Sequence, residues 1–137
     1  MIFNDIEKNL DIMATGNLEE PVIMLNLLRY RELATEGFGV DGLSGRDAYG
    51  EYGRLFAKLH PRFGGEPIWM GKTHTTVIGL ENEQWDICIL VRYPSRQHFL
   101  DMVRDSEYQT ISPLREAALA ESRLIEMSQL LPKLEIS

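Results

Sequence analysis

Asn26 is the first residue whose type and position could support chemistry, because it interrupts an otherwise apolar segment, PVIMLNLLRY, from Pro21 to Tyr30. In a strand it shares a face with Met24 and Leu28. An amide on such a face must be hydrogen-bonded or must line a cavity. We predict that Asn26 is catalytic and orients a substrate carbonyl or stabilises an enolate. The alternative is a structural amide bonded to the backbone.

Aromatic side chains are predicted to lie around Asn26. Tyr93 and Trp85 occupy one face of a predicted strand over 85–93, and we predict that both contact a ligand. Tyr52 lies on the inward side of a predicted helix and is a second catalytic candidate, which could move a proton. This set would suit a small apolar, aromatic or acyl ligand. The alternative is an ordinary aromatic core whose hydroxyls reach the rim.

His74 is the third catalytic candidate. It lies within a predicted strand over 67–79, where a side chain can be held rigidly enough for general acid or base catalysis. The alternative is a half-buried structural histidine. His60 precedes Pro61 and is expected to be exposed. No histidine or carboxylate spacing indicates a metal site, and we predict no metal and no cofactor.

Arg115 is predicted to bind a ligand, as a possible holder of an anionic group at the pocket mouth. Arg29 and Arg92 fall on the sheet face that we expect to meet a partner. A buried arginine at such an interface needs a carboxylate. Asp86 and Glu126 are the predicted partners of these two arginines across the interface.

The predicted elements run in the order helix, then β-α-β-β-α-β, which is the split βαβ pattern of ferredoxin-like folds. The predicted fold class is therefore α+β, with an antiparallel four-stranded sheet and an additional N-terminal helix. We predict a single domain with an N-terminal helix over 1–16, a core over 21–127 and a tail over 128–137. Its last helix is predicted to begin at Pro113, and its last strand to cover 123–127.

Two predicted strands, 21–30 and 85–93, are apolar on both alternating faces. A strand with one solvated face would alternate with polar residues, so both faces must be covered. Helices cover one face, and a second copy of the chain is the simplest cover for the other. We predict a homodimer through the open sheet face. The glycine-rich segment 31–43 is either a surface loop or a lid over the pocket.

Composition limits the partners further. The chain has 137 residues, of which 44% are hydrophobic, and a net charge of −7. An acidic chain repels phosphate backbones, so we predict neither nucleic acid nor membrane as a partner. The N-terminus has no signal-peptide pattern, and no segment is apolar enough to span a membrane. The single cysteine, Cys88, excludes an internal disulfide. We therefore predict a cytoplasmic location.

Several segments together resemble the domain-of-unknown-function family 1330. These are AYGEY (48–52), FGGEP (63–67), WDICILVRYPS (85–95), DSEYQ (105–109) and REAALAES (115–122). The resemblance covers roughly residues 22–127 and implies a dimeric α+β barrel, in which two ferredoxin-like protomers pack sheet to sheet. Haem-degrading members of this wider group use a histidine on the helix after the third strand. The corresponding position here holds Ser112 or Pro113, which argues against haem.

The sequence does not decide whether the chain is an enzyme, since one fold supports many functions. Our leading interpretation is an uncharacterised protein that binds a small molecule and, if it is catalytic, acts as a cofactor-independent oxygenase or isomerase. The alternative is a non-catalytic module for ligand sensing or protein interaction.

Overall fold

The structure of the protein, a computed structural model, describes residues 5–132. Its helices and strands are α1 (Ile6–Ala14), β1 (Val22–Tyr30), α2 (Gly45–Leu59), β2 (Glu66–Lys72), β3 (Ile87–Tyr93), α3 (Arg96–Arg104), α4 (Ser106–Ala118) and β4 (Leu119–Met127), with a short 3-10 helix, His60–Phe63, after α2. The predicted α+β ferredoxin-like fold is confirmed. Residues 1–4 of the predicted N-terminal helix and 133–137 of the predicted tail lie outside the described residues.

The four strands form one antiparallel sheet in the order β2-β3-β1-β4. At its centre, Asn26 of β1 lies opposite Ile89 of β3 and Leu124 of β4. Residues paired across strands point to the same face. These three side chains therefore share a face with the buried Met24 and Leu28, and this is the face that the helices cover.

The strand-to-helix elbow after β3 has the predicted form. β3 ends at Tyr93, and the Ser95 hydroxyl accepts a hydrogen bond from the His98 backbone N–H at 3.2 Å, which caps α3. Asp105 then ends α3 and caps α4, since its carboxylate accepts from the Glu107 backbone N–H at 2.9 Å. The two caps set the turn between α3 and α4.

The second strand is shorter than predicted. β2 ends at Lys72, which lies opposite Ile87, the first residue of β3. The segment 73–86 is rich in strand-forming residues but forms neither helix nor strand. A strand needs a neighbour to satisfy its backbone, and residue preference alone does not supply one. β2 also shifts register between Pro67 and Trp69, so this edge strand carries a bulge.

Pro113 does not start a new helix, and that prediction is wrong. It lies inside α4, which runs without interruption from Ser106 to Ala118. Proline removes one backbone hydrogen bond from a helix, and the contact of α4 along α2 retains the helix across that loss. The last strand is longer than predicted, because β4 begins at Leu119, opposite Tyr30 of β1.

α1 packs on α3 of its own chain, and the Asp11 carboxylate lies 3.1 Å from the Arg104 guanidinium. The Asp5 side chain caps α1 by accepting from the Lys8 backbone N–H at 3.1 Å.

Among residues 5–132, no helix combines the length and the hydrophobicity needed to cross a membrane.

Gly45 joins three elements at a point with no room for a side chain. Its backbone N–H donates to the Arg31 carbonyl at 3.0 Å, and the Arg31 N–H donates to the Ala118 carbonyl at 2.9 Å. A methyl group on Gly45 would meet the Arg31 backbone and would come within 2.6 Å of the Ala118 carbonyl oxygen. The end of β1, the start of α2 and the end of α4 are therefore fixed to one another directly through backbone.

We expect Gly45→Ala to lower the free energy of unfolding by at least about 2 kcal/mol, because the methyl group can be admitted only by moving backbone. Urea unfolding measures this change. Gly50→Ala on the same helix is the matched control, since a methyl group there meets nothing within 4 Å. The control should be neutral or gain up to about 1 kcal/mol. Equal effects at both positions would contradict the proposed junction.

Candidate functional site

A cavity of about 180 Å³ lies between the sheet and the helices. A cavity of roughly 150 Å³ is enough for a benzene-sized molecule, so this one can hold a single substituted ring. Its lining is mostly apolar and aromatic and comprises Met24, Asn26, Tyr49, Tyr52, Gly53, Phe56, Ala57, His60, Pro67, Met70, Ile89, Val91, Tyr93, Phe99, Met102, Val103, Tyr108, Arg115 and Leu124. Met70 and Leu124 are exposed and form part of its rim.

Asn26 lies on the sheet side of this cavity. Its Nδ2 donates to the carbonyls of Met24 at 3.3 Å and Ile89 at 3.4 Å, and no donor among the described residues reaches its Oδ1. Carbonyls only accept, so this arrangement also fixes which amide atom is nitrogen. The free atom of Asn26 is therefore an acceptor. It can hold a ligand hydroxyl or N–H group, but it cannot polarise a substrate carbonyl while both amide hydrogens are in use.

Tyr52 extends from α2 into the cavity and meets Tyr108 of α4, with 3.2 Å between the two hydroxyl oxygens. Its ring stacks on Phe56 at a centroid distance of 5.7 Å. Burial raises the pKa of Tyr52 far above its ordinary value, and Tyr108 adds to that rise. Tyr52 is thus a protonated donor at neutral pH and not a base.

Tyr49, one turn before Tyr52, has a pKa raised to about 12 by burial, and the positive charge of Arg115 opposes part of this rise. Arg115 also lowers the pKa of Tyr52. The positive charge of its guanidinium therefore lies near enough to both phenols to act on their ionisation. Arg115 extends from α4 and lines the cavity. Its Nη1 donates to the Ser122 hydroxyl at 3.4 Å.

Tyr93 forms a wall of the cavity through its ring. Its hydroxyl donates to the Met102 sulfur at 3.3 Å, and its ring meets Phe99 edge to face at 5.3 Å. Burial raises the pKa of Tyr93 as well. A methyl group on Gly65 would come within 2.9 Å of the Tyr93 ring. The glycine pair after the 3-10 helix therefore lets the chain approach this ring closely.

His74 and Trp85 do not line the cavity. His74 is exposed in the segment 73–86, because β2 ends before it, so the predicted strand position is wrong. Trp85 precedes β3 and lies under the Arg123 guanidinium, 5.1 Å from the ring centroid. The structure brings together Asn26, Tyr52, Tyr93 and Arg115 and leaves these two predicted residues apart from them.

His60 is the lining residue that the sequence interpretation missed, since it was expected to be exposed and is half-buried. Its Nδ1 lies 2.8 Å from the Gly65 carbonyl oxygen. A carbonyl can only accept, so Nδ1 carries the hydrogen, and Nε2 is the nitrogen that can take up a proton. The sequence contains one signal for this position of His60, the pair Gly64-Gly65, because these glycines turn the chain back toward the end of α2.

Arg29 and the two predicted carboxylate partners are engaged within the chain. Arg29 pairs with Glu121 at 2.9 Å, and Glu126 pairs with Arg96 at 2.7 Å. The Asp86 carboxylate accepts from the Tyr30 backbone N–H at 2.8 Å. Glu126 therefore forms its ion pair inside one protomer, whereas an ionic contact between protomers at Asp86 stays a prediction.

The segment 31–43 supplies no lining residue to the cavity. Ala34 and Val40 are buried, and the Thr35 N–H donates to the Ala117 carbonyl at 2.9 Å, so the segment packs at the end of α4.

Within residues 5–132, no cluster of histidine, cysteine and carboxylate side chains has the arrangement of a metal site.

The tyrosines give a prediction for alkaline pH. Burial raises the pKa of Tyr30, Tyr49, Tyr52 and Tyr93 in the folded protein above 10.0, the ordinary value. Above that pH the unfolded chain binds fewer protons than the folded chain, so the free energy of unfolding falls as pH rises. For Tyr49 the fall extends to about pH 12.

Ultraviolet titration of tyrosinate checks this prediction, with urea-unfolded protein as the reference. The folded chain should ionise only a minority of its five tyrosines at a pH where the unfolded chain ionises most of them. Coincident titration curves from a chain that circular dichroism shows to be folded would contradict the buried cluster.

Comparison with known structures supports this architecture. A protein of unknown function from Rhodopseudomonas palustris, RPA0582, is 33% identical, with a TM-score of 0.85 over 94% of this chain and 97% of that one. The crystal structure of its methylated form gives a TM-score of 0.86 over 96% of both chains, again at 33% identity.

More distant structures share the fold alone. A dimeric protein of unknown function with a ferredoxin-like fold, from Bacteroides fragilis NCTC 9343, is 9% identical, with a TM-score of 0.54 over 82% of this chain and all of that one. A Bacteroides thetaiotaomicron protein, provisionally named an antibiotic biosynthesis monooxygenase, is 10% identical, with a TM-score of 0.50 over 88% of this chain. No curated protein matches the sequence. The sequence model for a domain of unknown function, DUF1330, matches residues 42–128.

Proposed function

The chain belongs to the DUF1330 family, and we propose that it binds a small, mostly apolar or aromatic molecule in the cavity between sheet and helices. The observation that carries the proposal is the cavity itself, with a volume of about 180 Å³ and a lining of aromatic and apolar side chains around a few polar atoms. Ligand sites typically have this composition. A pure interaction module would instead fill this space with side chains.

The polar atoms suit an isomerase or a cofactor-independent oxygenase that works through an enolate. In an isomerisation, a base removes a proton from a carbon beside a carbonyl, and the electron pair moves to the carbonyl oxygen. The same proton then returns at another carbon. In an oxygenation, the carbanion instead gives two electrons to dioxygen, so that a C–O bond forms, the dioxygen is reduced to a hydroperoxide, and the proton held by the base passes to its outer oxygen. Tyr52 and Arg115 are the donors for the oxyanion, and His60 Nε2 is the candidate base.

Non-catalytic ligand sensing remains the second candidate, because the Asn26 amide nitrogen is bonded to backbone carbonyls. An amide held this way is ready to position a ligand but not to polarise a carbonyl. The cytoplasmic location is part of the proposal and rests on the single cysteine, since disulfides are typical of oxidising compartments.

The binding test uses toluene as a neutral aromatic probe and the methionine methyl groups as reporters in NMR spectra. Met24, Met70 and Met102 line the cavity, whereas Met13 and Met127 do not. We expect toluene to shift the first three signals selectively. Gly53→Leu should abolish these shifts, because Gly53 lines the cavity and an added Cβ there meets nothing within 4 Å, so the leucine can enter the space that toluene would occupy.

Gly50→Leu is the matched control on the exposed surface of the same helix, and it should bind toluene as the wild type does. Equal shifts of the Met13 and Met127 methyl groups and of the three lining ones, or unchanged binding by a folded Gly53→Leu variant, would overturn the proposed site. Turnover is assayed separately, since binding without turnover would favour the sensor.

The second part of the proposal is a homodimer formed through the open sheet face, which we define by its apolar residues Ile23, Leu25, Leu27, Cys88, Leu90, Ile125 and Met127. The register places these side chains on the other side of the sheet from the face that the helices cover. In one protomer they are half-buried or exposed. An apolar sheet face of this extent needs a cover, and the B. fragilis protein, which has the same fold type, is a dimer.

We expect Leu25→Lys to convert the dimer to a monomer, because a charge at the centre of the open sheet face would be buried without a partner. Sedimentation equilibrium measures the mass. Ile12→Lys on α1 is the control, since Ile12 is 58% exposed on the opposite side of the molecule from this face. A monomeric wild type, or a Leu25→Lys dimer as stable as the wild type, would contradict the proposed interface.

A further inference from the structure

Arg115 carries a buried polar atom that the protein leaves unsatisfied. Its Nη2 is excluded from solvent and has no hydrogen-bond partner, and among residues 5–132 no other buried side-chain nitrogen or oxygen is in that condition. A buried donor without a partner costs roughly 1–3 kcal/mol, and a charged donor costs more. The remaining terminal nitrogen makes a long contact with the Ser122 hydroxyl, at 3.4 Å, and the guanidinium also has a side-chain hydrogen bond with Tyr49.

Two other arginines, one in the helix layer and one in the sheet, pair with carboxylates. Arg96 makes two hydrogen bonds to Glu126, at 2.7 and 3.2 Å, and Arg29 lies 2.9 Å from Glu121. No carboxylate within the described part of the chain pairs with Arg115. A guanidinium that faces an apolar cavity without a carboxylate partner is stabilised by an approaching anion, and a planar carboxylate fits it best.

The groups around Arg115 are neutral hydrogen-bond donors. The hydroxyls of Tyr52 and Tyr108 lie in the same cavity, and Arg115 acts electrostatically on Tyr49 and Tyr52. Phenols that keep their protons can donate to an anion and do not compete with it for the cation. Beyond this end, the cavity is lined mainly by methionine, aliphatic and aromatic side chains.

We infer that the ligand is a small aromatic or unsaturated carboxylate, whose anionic group binds Arg115 and whose apolar body fills the rest of the cavity. This inference rests on the proposed ligand-binding function and adds the charge of the ligand to it. The net charge of −7 disfavours anions in general. That repulsion acts over distance and is screened by salt, whereas direct contact with the buried nitrogen of Arg115 is screened much less.

The test compares benzoate with benzamide, which has nearly the same shape but no charge, through the methyl signals of Met24, Met70 and Met102. We expect wild-type protein to bind benzoate at least about tenfold more tightly than benzamide, as a charge-assisted pair should. Arg115→Gln should reduce that ratio to about one by weakening benzoate alone. Arg115→Lys should retain part of the preference, because it keeps the charge but loses the planar fork.

Arg54→Gln is the matched control, since Arg54 is exposed on α2 and pairs with Glu51, and it should keep the wild-type ratio. If Arg115→Gln does not fold, the wild-type ratio and Arg115→Lys decide. Equal binding of both probes, or a benzoate preference that survives in Arg115→Gln, would overturn the inference while leaving the ligand site in place. Failure of benzoate, benzamide and toluene to bind would overturn the proposed function as well.

Discussion

The close approach of backbone at Gly45 is the constraint on which the helix layer depends. At this point the end of β1 bonds directly to the start of α2 and to the end of α4, with no side chain between them. The two helices therefore begin and end at fixed places over the sheet. Farther along α2, large aromatic residues separate the helices from the strands, and the space that the rings do not fill is the cavity. The tight junction thus fixes the helix ends from which Tyr49, Tyr52 and Arg115 line the cavity.

The same geometry explains why the buried phenols of the cavity are donors rather than bases. Tyr52 and Tyr93 are enclosed by apolar neighbours, and burial keeps them protonated. Asn26 uses its amide hydrogens on the sheet backbone and retains only an acceptor. His60 is the lining side chain with a nitrogen that can take up a proton. The site therefore combines several hydrogen-bond donors, one cation and one candidate base around an apolar volume.

Much of the fold could be predicted from the sequence, because it follows from local periods and caps. The apolar segment around Asn26 predicted β1 and its inward face, and Ser95 predicted the start of α3. Pro113 misled the prediction, because a packed helix tolerates one missing hydrogen bond that an isolated one would not. His74 misled it for a related reason. Its neighbours favour strand structure, but a strand forms at His74 only if β3 is long enough to pair with that segment.

The candidate site was predictable only in part. The inward positions of Tyr52 and Tyr93 follow from helix and strand periods, and both line the cavity. That Arg115 would lack a carboxylate could not be read from sequence, because it depends on where every acid of the chain falls in space. His60 required knowledge of the turn at Gly64, where the backbone adopts φ of 70° and reverses direction.

The bulge in β2 has a consequence for aggregation. β2 is an edge strand, and its row of backbone groups would otherwise be a template on which another chain could add a strand. Pro67 has no N–H group to offer, and the register shift between Pro67 and Trp69 interrupts the row beside it. Open-ended growth of the sheet through this edge is therefore blocked by the backbone itself. Growth through the open sheet face would be limited in a different way, since the proposed pairing of that face with a second copy closes after one partner and does not propagate into a fibre.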